Sequence, residues 1–193
     1  MALKSIAVFC GSSSGFDVRY SQAAKSLGKF FALHGIQLIY GGASVGLMGD
    51  IADACMEHGG KVIGVLPDFL RSKEIAHKGL TEIYITTTMH ERKEKMNQLC
   101  DGVIALPGGF GTLDELFEML TWGQLGLHQK PIGLYNIGGF FDPLIQLITD
   151  MEKAGFLKKV NADMLLVGDD LNSLVQKMEN YIPPTTGKWI VRK

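Results

Sequence analysis

The run Pro107-Gly108-Gly109-Phe110-Gly111-Thr112, followed by acids at Asp114, Glu115 and Glu118, sets carboxylates beside what reads as an anion seat. The apolar stretch Val103 to Leu106 has the make-up of a buried strand, and Pro107 stops it. The three glycines let the backbone turn tightly, and Thr112 opens a helix whose Leu113, Leu116, Phe117 and Leu120 recur at helical spacing. Loop and first-turn N–H groups in such a junction lack internal partners, and the helix dipole favours negative charge there. Side chains would hold a phosphate away from those groups, whereas glycine does not. The spelling excludes two common anion sites. A P-loop requires Lys-Ser or Lys-Thr after its last glycine, and here Thr112-Leu113 follows Gly111. A dinucleotide fingerprint counted from Gly109 requires glycine at position 114, which is Asp114.

Carboxylates next to a phosphate suggest chemistry rather than storage, yet Thr112-x-x-Glu115 also spells a capping box, in which the acid only ties down the helix start. Asp114 and Glu118 read as solvated first-turn acids favoured by the dipole. A second polar cluster lies upstream. Thr88-Met-His-Glu91 spells a capping box of its own and places Arg92 in a first helical turn, where cations are disfavoured. A guanidinium can grip a carboxylate or phosphate through two hydrogen bonds, so Arg92 is the cation of interest. By composition alone, Lys93 to Lys95 form a solvated face. Structural roles are assigned to His34, His58, His77, His90 and His128.

The elements that must position these residues alternate along the chain. Strands are expected at Ser5–Phe9, Gln37–Tyr40, Lys61–Leu66, Glu82–Thr86, Val103–Leu106, Ile132–Tyr135 and Met164–Val167. Helices are expected over Asp17–Leu33, from after Gly49 to His58, over His90–Cys100, from Thr112, over Phe141–Ala154 and over Asp170–Asn180. Residues 67–80 read as polar and irregular, and 181–193 as an irregular tail. This alternation implies an α/β fold: a single doubly wound, Rossmann-like domain over 1–193, its mostly parallel sheet covered by helices on both faces. Ligands in such sheets bind outside the carboxyl ends of the strands. Three strands exit there into small-residue loops, Gly11–Gly15, Gly41–Gly49 and Pro107–Gly111, which makes a nucleotide-sized site.

The rest of the composition narrows the class. With 46% hydrophobic and 20% charged residues and a net charge of −1, nothing favours nucleic acid or an anionic membrane as partner. No apolar segment has the length of a signal or a membrane span. Cys10, Cys55 and Cys100 are odd in number and widely spaced, which fits reduced thiols in the cytoplasm and neither a disulfide framework nor a zinc site.

Met89-His-Glu-Arg-Lys93 followed by Pro107-Gly-Gly-Phe-Gly-Thr-Leu-Asp-Glu115 resembles the Lonely Guy family of cytokinin riboside 5′-monophosphate phosphoribohydrolases, formerly described as lysine decarboxylases. Cys10-Gly-Ser-Ser, Gly41–Gly49 and Thr121-Trp122 extend the resemblance over most of the chain. It implies a homodimeric, metal- and cofactor-independent enzyme that splits a nucleoside 5′-monophosphate into free base and ribose 5-phosphate. It assigns Arg92 and Glu115 to catalysis and Gly108, Gly109, Phe110, Gly111 and Thr112 to the phosphate loop. Lys93, Thr121 and Glu74 take further substrate contacts, Glu74 within a poorly matching stretch. Phe110 replaces the tyrosine usual in plant members, and Asp114 replaces glutamate. Trp122, Leu125 and Leu127 offer an apolar contact for a dimer. Breaking an N-glycosidic bond develops positive charge on the ribose, which a carboxylate such as Glu115 can stabilise while taking a proton from water. Two other readings compete: a nucleotide-binding sensor that uses the same pocket without turnover, and a pyridoxal phosphate decarboxylase. The second needs a Schiff-base lysine, and no lysine stands in a persuasive setting.

Overall fold

The computed structural model describes residues 3–71 and 76–184. Seven strands form one sheet: β1 (Ser5–Phe9), β2 (Gln37–Tyr40), β3 (Val62–Pro67), β4 (Glu82–Thr86), β5 (Gly102–Ala105), β6 (Ile132–Tyr135) and β7 (Leu165–Gly168). Their order is β4-β3-β2-β1-β5-β6-β7, and every pairing is parallel. The helices are α1 (Val18–Leu33), α2 (Gly46–Glu57), α3 (Asp68–Arg71), α4 (Met89–Leu99), α5 (Phe110–Gln124), α6 (Asp142–Lys153), α7 (Lys159–Ala162) and α8 (Leu171–Glu179). A parallel sheet needs a crossover between successive strands, and the helices supply it on both faces. Leu27 and Phe31 of α1, Leu47 and Ile51 of α2 and Leu174 of α8 pack with Ile6, Val8 and Leu38 on one face. Met96 of α4, Leu116 and Met119 of α5 and Phe141 before α6 pack with Ala7, Ile39 and Val103 on the other. The central strands β1, β3, β5 and β6 are buried along their whole length, which explains why they read as unbroken apolar runs.

The order reverses direction between β1 and β5, whose register runs from Ile6↔Gly102 to Phe9↔Ala105. Past these ends Gly11 N–H donates to Pro107 O at 3.0 Å, so the loops leaving the two strands stay side by side. This is the topological switch point, where open α/β sheets place their ligands.

Three expectations are corrected. Helix α2 begins at Gly46 with Val45 as N-cap, not after Gly49. Residues 67–80 are not wholly irregular: Pro67 ends β3 and α3 turns immediately after it. Helix α5 starts at Phe110 with Gly109 as N-cap, not at Thr112. Glycine is a tolerable N-cap residue, and the first turn has few internal bonds for a glycine at 111 to weaken. Thr112 is therefore inside the helix, and Thr112-x-x-Glu115 is not a capping box. The box at Thr88 forms in part: Thr88 Oγ1 accepts from Glu91 N–H at 3.1 Å, while Glu91 Oε2 reaches one residue beyond the cap and accepts from Thr87 N–H at 2.8 Å. The short α3 and α7 and a 3-10 turn at Ile137–Gly139 carry no periodicity long enough to read. Within the tail, 181–184 has no regular structure and 185–193 lies outside the described residues.

Candidate active site

A cleft of about 270 Å³ opens at the switch point. Its floor is Val8, Cys10, Gly11 and Ser12 from β1 and its loop, and Gly41 and Met48 from the β2 exit. One wall is the start of α5, Gly109 to Thr112 with Glu115 one turn on, and the other carries Leu70, Met89 and Arg92.

Arg92 and Glu115 meet inside it. Each is about 8% exposed, and Arg92 Nη1 donates a short hydrogen bond to Glu115 Oε1. Arg92 Nε donates to Val65 O at 3.0 Å, so the guanidinium is fixed to the end of β3 as well. Removing either member of such a buried pair leaves an uncompensated charge, a cost of several kcal/mol (about 3–5). Burial pushes the Glu115 carboxyl above the usual glutamate value, and the nearby Arg92 guanidinium restrains that rise. The result is an ionisable carboxylate of raised basicity, held in one orientation. The Cys10 thiol shares the cleft, but burial lifts it far above the ordinary thiol range, so it stays protonated and unsuited to nucleophilic work.

The α5 N-terminus has the geometry of an anion seat. Leu113 N–H is bonded back to Gly109 O at 3.2 Å, and the N–H groups ahead of it belong to the first turn, which has no intrahelical acceptors. Beyond adjoining backbone, nothing among the described residues lies within 4 Å of where a side chain on Gly109 or Gly111 would begin. Gly108 is different: a Cβ there would run into Thr112 Oγ1, and the buried Thr112 packs beneath it. Phe110, 94% exposed, stands on the rim.

The other assigned residues fall elsewhere. Lys93 is not a solvated lysine: only 13% exposed, it spans α4 and α5 with its Nζ 3.0 Å from Asp114 Oδ2 and 3.0 Å from Glu118 Oε2. Those acids are accordingly ion-paired rather than merely solvated, and Lys93 does not line the cleft. Thr121 is not brought to the cleft either. Its hydroxyl donates to Phe117 O at 2.7 Å, and it faces a separate apolar groove with Phe117, Leu120, Ile148 and Leu157. Glu74 lies outside the described residues. Sequence reasoning gave no role to Gly41, Met48, Leu70 or Met89. Gly41, Met48 and Met89 sat inside motifs already singled out, while Leu70 had no signal.

A buried, oriented carboxylate one turn below a helix N-terminus, at the switch point of a parallel sheet, is an arrangement suited to an α/β protein that binds nucleotides and does hydrolytic chemistry. Comparisons with known proteins agree. The family model described as possible lysine decarboxylase matches residues 48–178. The probable cytokinin riboside 5′-monophosphate phosphoribohydrolase LOGL9 of Oryza sativa subsp. japonica is 43% identical over 178 residues, spanning 92% of this chain and 78% of that protein. The cytokinin riboside 5′-monophosphate phosphoribohydrolase LOG1 of Arabidopsis thaliana is 43% identical over 180 residues, spanning 93% and 84%. The chain belongs to this phosphoribohydrolase family. Among solved structures, the molybdenum cofactor carrier protein of Chlamydomonas reinhardtii superposes with a TM-score of 0.69 at 22% identity, over 93% of this chain and 97% of that one. The molybdenum cofactor binding protein of Rippkaea orientalis gives 0.68 at 22%, over 93% and 98%. At that identity the likeness shows the fold alone.

The family's older description calls for pyridoxal phosphate on a lysine. None of the described residues lining the cleft is a lysine, and Lys93 beside it is engaged by two carboxylates. The described lining of the cleft offers that group no Schiff-base lysine.

Proposed function

We propose that this chain is a single-domain phosphoribohydrolase that cleaves the N-glycosidic bond of a purine nucleoside 5′-monophosphate, AMP or an N6-modified AMP, releasing free base and ribose 5-phosphate. The observation that carries the reading is Glu115, buried, fixed by Arg92 and set one turn below the α5 anion seat.

The 5′-phosphate sits on Gly109, Gly111 and Thr112 at the α5 N-terminus, which fixes C1′ of the ribose relative to Glu115. As the C1′–N bond breaks, its electron pair leaves with the base and positive charge grows on the ribose. The Glu115 carboxylate stabilises that charge, aligns a water and takes one of its protons while the water oxygen bonds to C1′. The departing base nitrogen gains a proton, so one water is divided between ribose and base. Arg92 has Nε on Val65 O and Nη1 on Glu115, and these two bonds support a part in orienting the carboxylate. Met48, Leu70, Met89 and Phe110 give the cleft an apolar side suited to a base with an alkyl substituent.

The working unit is a homodimer. Supporting this is the apolar groove between α5 and the α6–α7 region, about 220 Å³, lined by Phe117, Leu120, Ile148, Met151 and Leu157. Thr121 on that groove and Lys93 at the α4–α5 junction would reach substrate only through rearrangement or a second copy. A cytoplasmic site of action is supported by three free buried cysteines. Among the described residues no helix is long and apolar enough to cross a membrane.

The test is base release from AMP and from isopentenyladenosine monophosphate by wild type, Glu115→Gln and Arg92→Ala. Release that collapses in both variants supports the assignment. Nucleotide binding with no release by wild type would instead make the chain a sensor.

A further inference from the structure

We infer that Gly41 is a positioning residue for the Arg92–Glu115 pair: its missing side chain is the slot in which the guanidinium lies. The inference rests on the hydrolase reading for its kinetic test, but its geometry stands alone. A Cβ on Gly41 would be 2.5 Å from Arg92 Nη2 and 2.8 Å from Met48 Sδ. Gly41 is not among the glycines with positive φ, so its backbone conformation does not explain why glycine is there. The nearest obstacles are the ends of two side chains rather than main chain. An alanine would therefore be accommodated by moving side chains, not by unfolding the loop.

Which side chain moves decides the effect. Met48 is flexible and can re-pack. Arg92 cannot shift without loss, because Val65 O holds Nε, Glu115 holds Nη1 and the group is buried. Displacing Nη2 turns the planar guanidinium as a unit, which spoils the geometry at Glu115. The carboxylate then loses both its orientation and the cation that restrains its proton affinity. Gly41 thus acts on catalysis through Arg92 and touches no substrate in this role.

Gly41→Ala tests this in three readouts. It is expected to keep the wild-type melting temperature within a few degrees while kcat falls about 100-fold with little change in KM, the scale of an ångström-sized misplacement. The Glu115 carboxyl, followed by ¹³C NMR, should titrate at higher pH than in wild type. In an Arg92→Ala background the same substitution should cost nothing further, since the group it displaces is gone. Adding Met48→Ala to Gly41→Ala should not restore kcat. A kcat within about twofold of wild type, an unmoved Glu115 titration, a loss additive with Arg92→Ala, or rescue by Met48→Ala would each overturn the inference. If wild type releases no base the hydrolase reading fails, yet the titration still decides the role of Gly41.

Discussion

The two glycine loops that meet at the cleft look alike in sequence and are built for opposite reasons. In Gly41–Gly49 each glycine yields space to protein. Gly42 has a φ of +81°, Gly46 a φ of +61° with the Ser12–Ser13 peptide pressed against it, and Gly49 lies against the Ser44 main chain. In the second loop Gly108 also yields to protein, to Thr112, but Gly109 and Gly111 face open space. One loop is glycine-rich because the molecule fills the space, the other because the molecule leaves it unfilled. Only the second has the open backbone that the proposed anion seat requires, and substitutions should separate the two.

The largest effect belongs to the residue the seat serves. Glu115→Gln keeps the shape and a hydrogen bond to Arg92 but cannot take a proton from water. Its kcat is expected to fall about 10³-fold with nucleotide affinity largely retained, the size typical of a lost general base. Steady-state base release together with calorimetric binding of AMP checks it. Undiminished kcat would put the chemistry on another group.

Next come the glycines themselves. Gly46→Ala forces a side chain into a left-handed conformation and into main chain at Ser12–Ser13, so it should destabilise the fold by about 2–4 kcal/mol, read from urea unfolding. Gly111→Ala meets no protein and lies in the first turn of α5, so stability should hold or rise by up to about 1 kcal/mol. Its methyl projects into the proposed phosphate seat, and KM should rise roughly tenfold, equivalent to about 1.4 kcal/mol. If the alanine at 46 weakened substrate binding alone, or that at 111 weakened folding alone, the contrast between the loops would be reversed.

The difference between those loops also shows what sequence could carry. Alternating apolar runs and helical stripes foretold the seven strands within a residue or so, because each central strand is buried on both faces. Arg92, Glu115 and the glycine loop were legible as polar or small residues at the ends of such elements. What a glycine makes room for was not legible, since it depends on neighbours distant in the chain: Arg92 for Gly41, Ser12 for Gly46. Thr112 misled for a related reason. Threonine is a preferred N-cap, but here the cap is Gly109 and Thr112 is drawn inward beneath Gly108. Lys93 read as solvated because its partners, Asp114 and Glu118, sit on another helix.

The pH dependence sharpens the Arg92–Glu115 side of the comparison. In the proposed reaction Glu115 acts as a carboxylate, and burial raises its folded value above that of an ordinary glutamate. Activity is expected to be lost as pH falls through that raised value, so the acid limb of kcat/KM should lie above the ordinary glutamate range. The linked stability has the opposite sense. The folded state binds this proton more tightly than the unfolded chain, so the contribution is present at low pH and is lost as pH rises through the folded value. Glu115→Gln should remove that loss, which unfolding curves on both sides of the acid limb would detect.

The smallest effect is expected at Tyr40, the residue that leads into the Gly41 loop. It is fully buried and its hydroxyl has no hydrogen-bond partner among the described residues, while burial pushes that phenol well above its usual range. An unpaired buried hydroxyl gives up its hydration for nothing, so deleting it should be neutral or stabilising by about 1 kcal/mol. Tyr40→Phe keeps the ring that packs with Ile6, Leu38 and Leu47 in the core. If the Gly41 loop is a packing device, as its glycines indicate, this variant should gain stability in urea unfolding and release base at the wild-type rate. A fall in kcat without loss of stability would mean that the loop's root takes part in the chemistry, and the distinction between the two loops would no longer hold.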